Sequence, residues 1–176
     1  MKISSQFASF PLRVKSSAID HRGVFAEARI PARRKVVEYT GEKITLRRAL
    51  LRVRRILFGT GPKRRMRRGP KRLYIARVNR GYAIDGAVGG SGAELINHCC
   101  DPNLIVRRSH GQIHFYSKKS IRKGQELTID YKFGPSESPM ACRCGSPKCR
   151  GTINLLSSHA KNGKRWRTQY RTKKAR

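Results

Sequence analysis

Acidic residues are missing from two long stretches of this chain: none falls between Lys43 and Ile84, and none follows Glu137. Ten Asp and Glu stand against 41 Lys and Arg in 176 residues, a formal net charge of +31. Ordinary globular surfaces mix the two signs. The deficit therefore excludes a mixed-charge surface over an internal block and the C-terminal tail, and points to a polyanionic partner. Long apolar runs are absent too, since no stretch approaches the ~20 apolar residues of a membrane span. The opening "MKISSQFASFPLRVKSS" has neither a continuous apolar core nor an obvious cleavage site, so it does not read as a secretory signal. An intracellular protein without membrane contact is expected. Neither a Ser/His/Asp arrangement nor a phosphate-cradling glycine loop is found.

Five cysteines are present, an odd number, in two groups: Cys99 and Cys100 in "ELINHCCDPNL", then Cys142, Cys144 and Cys149 in "CRCGSPKC". Close clusters without an export signal argue for thiolates on a metal rather than disulfides. Zinc takes four soft ligands in a tetrahedron, and the CxCxxxxC stretch supplies three. The fourth must come from His98, Cys99 or Cys100.

The chain is long enough for one domain with a real core plus appendages. "GVFAEARIPARRKVVEYTGEKI" reads as two strands joined by the "PARRK" connection, and a related pattern returns in "IHFYSKKSIRKGQELTIDY". Between them, Leu46, Leu50, Val53 and Leu57 recur at helical spacing with Ala49 and Ile56 beside them. Thr45 is placed to cap this helix and Gly59 to end it. Its apolar stripe is expected to pack on a sheet, leaving Arg47, Arg48, Arg52, Arg54 and Arg55 on the other face. "TGPKRRMRRGPKR" then reads as an exposed basic loop. The tail "HAKNGKRWRTQYRTKKAR" interleaves Trp166 and Tyr170 with cations. Such aromatics can stack on bases or dock the tail on its own domain.

Four segments together resemble the SET-domain lysine methyltransferases. "INHCCDPNL" is similar to the family's Asn-His-Ser-Cys-Asp-Pro-Asn signature, and "GQELTIDYKF" to its final catalytic strand. "RGVFAEARIPARRKVVEYTGEKI" resembles its opening segment and "CRCGSPKCRGTI" its post-SET zinc motif. The match runs from about Leu12 to Leu155, in order. It implies a mainly β fold, a β-clip of short strands with a knot-like threaded C-terminal segment, one inserted amphipathic helix and a small zinc motif. The implied divisions are a SET domain at 11–133 with a basic insert at 45–72, a post-SET motif at 139–155 and a basic tail at 156–176.

The resemblance further implies two cofactors, S-adenosylmethionine and zinc. Arg22, Gly23 and Val24 match the cofactor-binding turn, Asn97 and His98 the pair that contacts the cofactor, and Tyr74 a tyrosine near it in trithorax-like members. Tyr131 matches the catalytic tyrosine, which also meets the cofactor, and Tyr39 a second tyrosine of the lysine channel. Cys100 matches the cysteine that joins Cys142, Cys144 and Cys149 on zinc, whereas Cys99 stands in the serine's place and is not expected to be a ligand.

Three positions depart from the pattern. His21 replaces a common glycine and is expected to reshape the cofactor rim. Glu94 and Leu95 replace arginine and phenylalanine, which is expected to weaken the grip on the cofactor's carboxylate. Ile129 stands where related enzymes carry the phenylalanine or tyrosine that tunes product specificity, so room for more than one methyl group is expected.

The function implied is methylation of lysine on a histone-like, nucleoid or other nucleic-acid-associated protein, at chromatin or nucleoid. DNA or RNA would be held by the basic helix, loop and tail. The alternative is a non-catalytic nucleic-acid-binding module on a SET-like scaffold.

Overall fold

The computed structural model describes residues 1–58, 72–134 and 139–156. Among the described residues, ten short strands, one α-helix of 13 residues and a single 3-10 turn at Ala93–Leu95 make up the regular structure, so the fold is mainly β as expected. Gly59, the packing of Leu57, the loop at 59–71 and the tail at 157–176 with Trp166 and Tyr170 lie outside the described residues.

Alternation of side chains fixes the first sheet. In β1 (Leu12–Ser16) Leu12 and Val14 are buried, and in β2 (Arg22–Ala26) the interior takes Val24 and Ala26. These two strands pair antiparallel. β10 (Glu126–Ile129) adds to the far edge of β2, and β7 (Asn97–His98) lies parallel to β10, with Thr128 opposite Asn97 and Ile129 opposite His98. A second sheet has the order β3 (Lys35–Tyr39), β9 (Gln112–Ser117), β8 (Leu104–Ser109). A third has β4 (Glu42–Thr45), β6 (Tyr82–Asp85), β5 (Ile75–Arg77).

The two related sequence patterns are not hairpins. Across Pro31 to Lys35 the chain leaves β2 in the first sheet and enters β3 in the second, and the later segment runs from β9 back to β10. The two segments therefore lie antiparallel along their whole length. β3 pairs with β9, Ile30 bridges Ile121, and β2 pairs with β10. Ile30 and Ile121 are fully buried, as are Val24, Val36, Val37, Ile113 and Leu127 around them. Two similar apolar patterns thus bury each other, each crossing between sheets where the other does.

The helix α1 (Leu46–Phe58) covers the third sheet. Thr45 Oγ1 accepts the amide of Arg48 at 3.3 Å, the expected cap. The apolar stripe differs from the expected one, because Leu50 is 64% exposed and Leu51 57%. Ala49 is buried on Ile44 and Ala83, with Leu46 and Ile75 packed beside them. A three-stranded sheet of short strands offers a narrow face, and the line Leu46, Ala49, Val53, Ile56 follows it while Leu50 lies about 100° around the axis from the buried Ala49. Arg52 also leaves the expected basic face. Its guanidinium turns under the helix to meet Glu42 at 2.7 Å and Asp85 at 2.6 Å.

Asp85 is largely buried, so removing its cation leaves an uncompensated charge. Arg52→Ala should lower stability by about 2 kcal/mol, against less than about 0.5 kcal/mol for Arg47→Ala on the exposed face. Urea denaturation of both variants reads the difference.

Candidate active site and thiol cluster

The site is organised around the two residues of β7. Asn97 is buried, and its Nδ2 lies within hydrogen-bonding distance of Glu126 Oε1 at 2.8 Å, the Arg22 carbonyl at 3.0 Å, Ser17 Oγ at 3.1 Å and the Asp20 carbonyl at 3.2 Å. An amide carries two such protons, so these acceptors share them. The effect is to staple the turn before β2 onto β10. Ser17 Oγ meets both Glu126 oxygens, at 2.8 and 2.9 Å. A Cβ on Gly23 would lie 2.1 Å from Glu126 Oε1, so this network requires glycine there. His21, in the preceding turn, adopts φ 44°, a left-handed conformation that glycine takes more readily.

His98 points the other way. Its Nδ1 accepts the Tyr131 amide at 3.2 Å, and Nε2 lies 3.4 Å from Cys100 Sγ. Burial pushes the imidazole down to about 4, so it is neutral near pH 7 and Nδ1 is free to accept. Tyr131 donates its hydroxyl to the Ile96 carbonyl at 3.0 Å, and burial raises its phenol well above the ordinary range. Tyr39 donates to the carbonyl of Tyr74, and burial again raises its phenol strongly. Both tyrosines are therefore neutral donors at any physiological pH.

Asn97, Arg22, Tyr74 and Tyr131 line one open cleft of about 830 Å³, its mouth included. Asp20, His21, Arg72, Leu73, Glu94 and Leu95 complete the near walls, and Phe133, Met140 and Ile153 the far one. Of the other residues singled out in the sequence, Val24 faces the core, His98 and Tyr39 lie behind the wall, and Ile129 packs at the core's edge. Glu94 Oε2 accepts the Gly92 amide at 2.8 Å, so the carboxylate that replaces an arginine is held in place at the cleft.

Beyond His98 the thiols converge. The Sγ atoms of Cys100, Cys142, Cys144 and Cys149 all lie within 4.8 Å of one another, with Cys100 3.7 Å from Cys142 and 4.0 Å from Cys149. A tetrahedron with Zn–S bonds of about 2.3 Å has edges of about 3.8 Å, so these four fit a zinc ion. Backbone N–H groups of Arg150 and Gly151 point at Cys100 and Cys149 sulfur, at 3.4 and 3.3 Å, and at Cys100 burial outweighs that amide and pushes the thiol up to about 11. Cys99 is buried outside this set.

An ion pair links the cluster to the tyrosine strand. Arg150, next to Cys149, holds Asp130, next to Tyr131, through two bonds of 2.8 and 3.0 Å. Burial favours the neutral acid at Asp130, but Arg150 and the Lys132 amide overcome it and keep the carboxyl below its usual range. The backbone continues the link: Phe133 bridges Asn154, and the Leu155 amide donates to the Phe133 carbonyl at 2.7 Å.

Residues 21–132 match the family model described as the SET domain. The chain belongs to the SET-domain family. Among relatives of this SET chain, histone-lysine N-methyltransferase set1 of Dictyostelium discoideum is 37% identical over 147 residues, covering 81% of the chain and 9% of the relative. Human histone-lysine N-methyltransferase SETD1A is 35% identical, covering 85% of the chain and 8% of the relative. Histone-lysine N-methyltransferase TRX1 of Oryza sativa subsp. japonica is 34% identical, covering 93% and 16%. The chain thus spans less than a fifth of the length of these relatives. A subunit in the crystal structure of an active polycomb repressive complex 2 in the stimulated state superposes with a TM-score of 0.58 at 26% identity, over 70% of this chain and 15% of that one.

Sequence reading missed Ser17, Glu126 and the Asp130–Arg150 pair of this SET site. Glu126 and Asp130 lie inside the quoted "GQELTIDYKF", but only the fold reveals what their side chains meet. Met140 and Ile153 carry no chemical signal in sequence at all.

The thiol geometry generates a direct test. Wild-type protein titrated with zinc against a chromophoric chelator should take one ion per chain. Cys100→Ser should lose at least about 100-fold in zinc affinity, and Cys99→Ser should retain it.

Proposed function

We propose that this protein is an S-adenosylmethionine-dependent protein-lysine N-methyltransferase with a structural zinc. The observation that carries the reading is one cleft flanked by Asn97, Arg22, Tyr74 and Tyr131 and walled by Met140 and Ile153 of the segment that brings in the thiols. When bound, S-adenosylmethionine would supply a methyl group made electrophilic by its sulfonium charge. Arg22, Gly23, Tyr74 and Asn97 are the residues proposed to hold it, with His98 contributing by fixing the backbone of Tyr131. Gly23 supports the fit, because its missing side chain leaves the Glu126–Asn97 network intact.

Methyl transfer from a sulfonium is an in-line displacement, so the chain's main work is to hold a neutral lysine amine in line with the methyl carbon. A free lysine has a pKa of about 10.4, and an apolar channel beside a cation disfavours its ammonium form. Tyr131 suits such a channel by lining the cleft with its ring, and Tyr39 supports it from behind by holding the Tyr74 carbonyl; both stay protonated. Cys100, Cys142, Cys144 and Cys149 would hold zinc, and Arg150 to Asp130 would transmit that order to Tyr131.

The relatives are named histone-lysine methyltransferases, and the substrate proposed here is a histone-like, nucleoid or other nucleic-acid-associated protein. Two strongly positive proteins repel. Asp20 and Glu94 offset Arg22 and Arg72 at the cleft and make it less repulsive to a basic segment than the surrounding surface, whereas Glu42 is neutralised by Arg52. Nucleic acid bridging enzyme and substrate would remove the remaining repulsion, with Arg47, Arg48, Arg54 and Arg55 exposed on α1 and the basic loop and tail as anchors. Association with chromatin or nucleoid follows. Glu94 and the strained His21 favour a second reading, a nucleic-acid-binding module that no longer takes the cofactor.

Calorimetry with S-adenosylmethionine separates the readings: micromolar binding is expected, and no binding moves the assignment to the module. Radiolabel transfer to mixed histones should follow, with Tyr131→Phe lowering the rate by about 100-fold while leaving cofactor affinity within a few-fold.

Ile129 has no hydroxyl to hold a water beside the amine. Mass spectrometry of products should reveal di- or trimethyl-lysine for the wild type and a shift to monomethyl-lysine for Ile129→Tyr. Strictly monomethylated product from both proteins would refute this role.

A further inference from the structure

Among the described residues, few cations have an ion-pair partner. Carboxylates lie within salt-bridge distance of Arg13, Arg48, Arg52, Lys119 and Arg150, and of two histidines. Many others have none, among them Lys43 on β4, Arg77 at the end of β5, Arg80 in the β5–β6 turn and Arg108 on β8, around the corner where that turn meets the β8–β9 hairpin. Arg108 Nε donates to the Arg77 carbonyl at 2.7 Å, and Arg77 Nε to the Asn79 carbonyl at 2.9 Å. Lys43 Nζ sits 4.0 Å from the centroid of the Tyr82 ring. The hairpin tip presses on the same tyrosine: a Cβ on Gly111 would fall 2.3 Å from its hydroxyl and 3.9 Å from Lys43 Nζ.

These are not loose surface lysines. The guanidinia of Arg77 and Arg108 are anchored through Nε to backbone carbonyls, which presets the planar fork that matches phosphate bidentately. Burial and the neighbouring Arg77 together lower the Arg108 pKa, a sign that the cations crowd each other without a counter-ion. The positive surface continues onto the outer face of β8, where Arg107 stacks on Tyr116 at 4.6 Å. Like charges held together at a rigid corner of a chain with net charge +31 favour an extended polyanion over an isolated anion.

We propose that this corner, with Lys43 on β4, Arg77 on β5, Arg80 in the β5–β6 turn and Arg108 on β8, is a binding surface for the phosphate backbone of duplex nucleic acid. It rests on the nucleic-acid-associated reading above but is independent of catalysis, and it moves part of the contact from the helix, loop and tail to the folded domain. Contacts through backbone phosphates carry little base preference.

The test is fluorescence anisotropy of a labelled duplex of about 20 base pairs with the full chain, between about 50 and 200 mM salt. The variant is Lys43→Gln, Arg77→Gln, Arg80→Gln, with Arg108 kept because its Nε bond ties the hairpin to β5. Thermal melting verifies folding, and Arg77→Lys, Arg80→Lys serves as the charge-preserving partner. The triple variant should bind at least about 10-fold more weakly, with a log–log salt slope shallower by about 2 to 3, near 0.9 per lost phosphate contact. The lysine variant should keep most of the slope, and all forms should bind S-adenosylmethionine alike. Wild-type affinity and slope in the triple variant would overturn the proposal while leaving helix, loop and tail as nucleic-acid anchors. No duplex binding by the wild type would overturn both. Polyglutamate binding as tight as duplex binding, at equal salt, would assign the corner to an acidic protein instead.

Discussion

The site depends on a parallel pairing only two residues long. Asn97 and His98 lie beside Thr128 and Ile129, and successive side chains of a strand point to opposite faces. One face therefore receives Asn97, which staples the turn before β2 to Glu126. The other receives His98, which holds the Tyr131 amide and approaches Cys100. A slip of one residue would exchange these roles, aiming the imidazole at the cleft and the amide at the thiols. The packing above and below the pair is what prevents it: Ile96 and Leu127 are both fully buried, and Asn103 is buried and bonded to the backbone of Glu126 and Thr128.

From this pairing the thiol cluster and the cleft become one mechanical unit. Cys100 leaves β7 toward the three later cysteines, and those cysteines bring Arg150 to Asp130 beside Tyr131. The same segment supplies Met140 and Ile153 to the cleft wall. A metal at the thiols would thus act at a distance through a buried ion pair and a short backbone ladder, without touching a reacting atom.

Charge is distributed by the same logic. Acidic residues are few, and the fold spends them inside: on Arg52 beneath the helix, on Arg150 beside the tyrosine strand, and on the Ser17–Asn97 network. Of the other described acids, Glu27, Glu38 and Asp101 sit half-buried beside Arg13, His114 and Lys119, and Asp20 and Glu94 line the cleft. The cleft, where two carboxylates stand against Arg22 and Arg72, is thus nearly balanced in charge within a strongly basic protein.

Residue order was enough to reveal the family and the three thiols of CxCxxxxC, because each rests on residue types at short, characteristic spacing, whereas Cys100 was assigned through the resemblance and is brought to them by the fold. "INHCCDPN" and "CRCGSPKC" are legible wherever they occur. The helix was legible in existence and cap, but not in which leucine it buries, since Leu50 and Ala49 compete for a face whose width is set by three strands elsewhere in the chain. Likewise the two related strand patterns could be seen, but not that they cross between sheets and pair with each other rather than folding back. Local chemistry is written in the sequence because ligand type and spacing are local. The direction of His98, the inward turn of Arg52 and the gathering of Lys43, Arg77, Arg80 and Arg108 were decided by tertiary structure, because each depends on contacts between segments far apart along the chain.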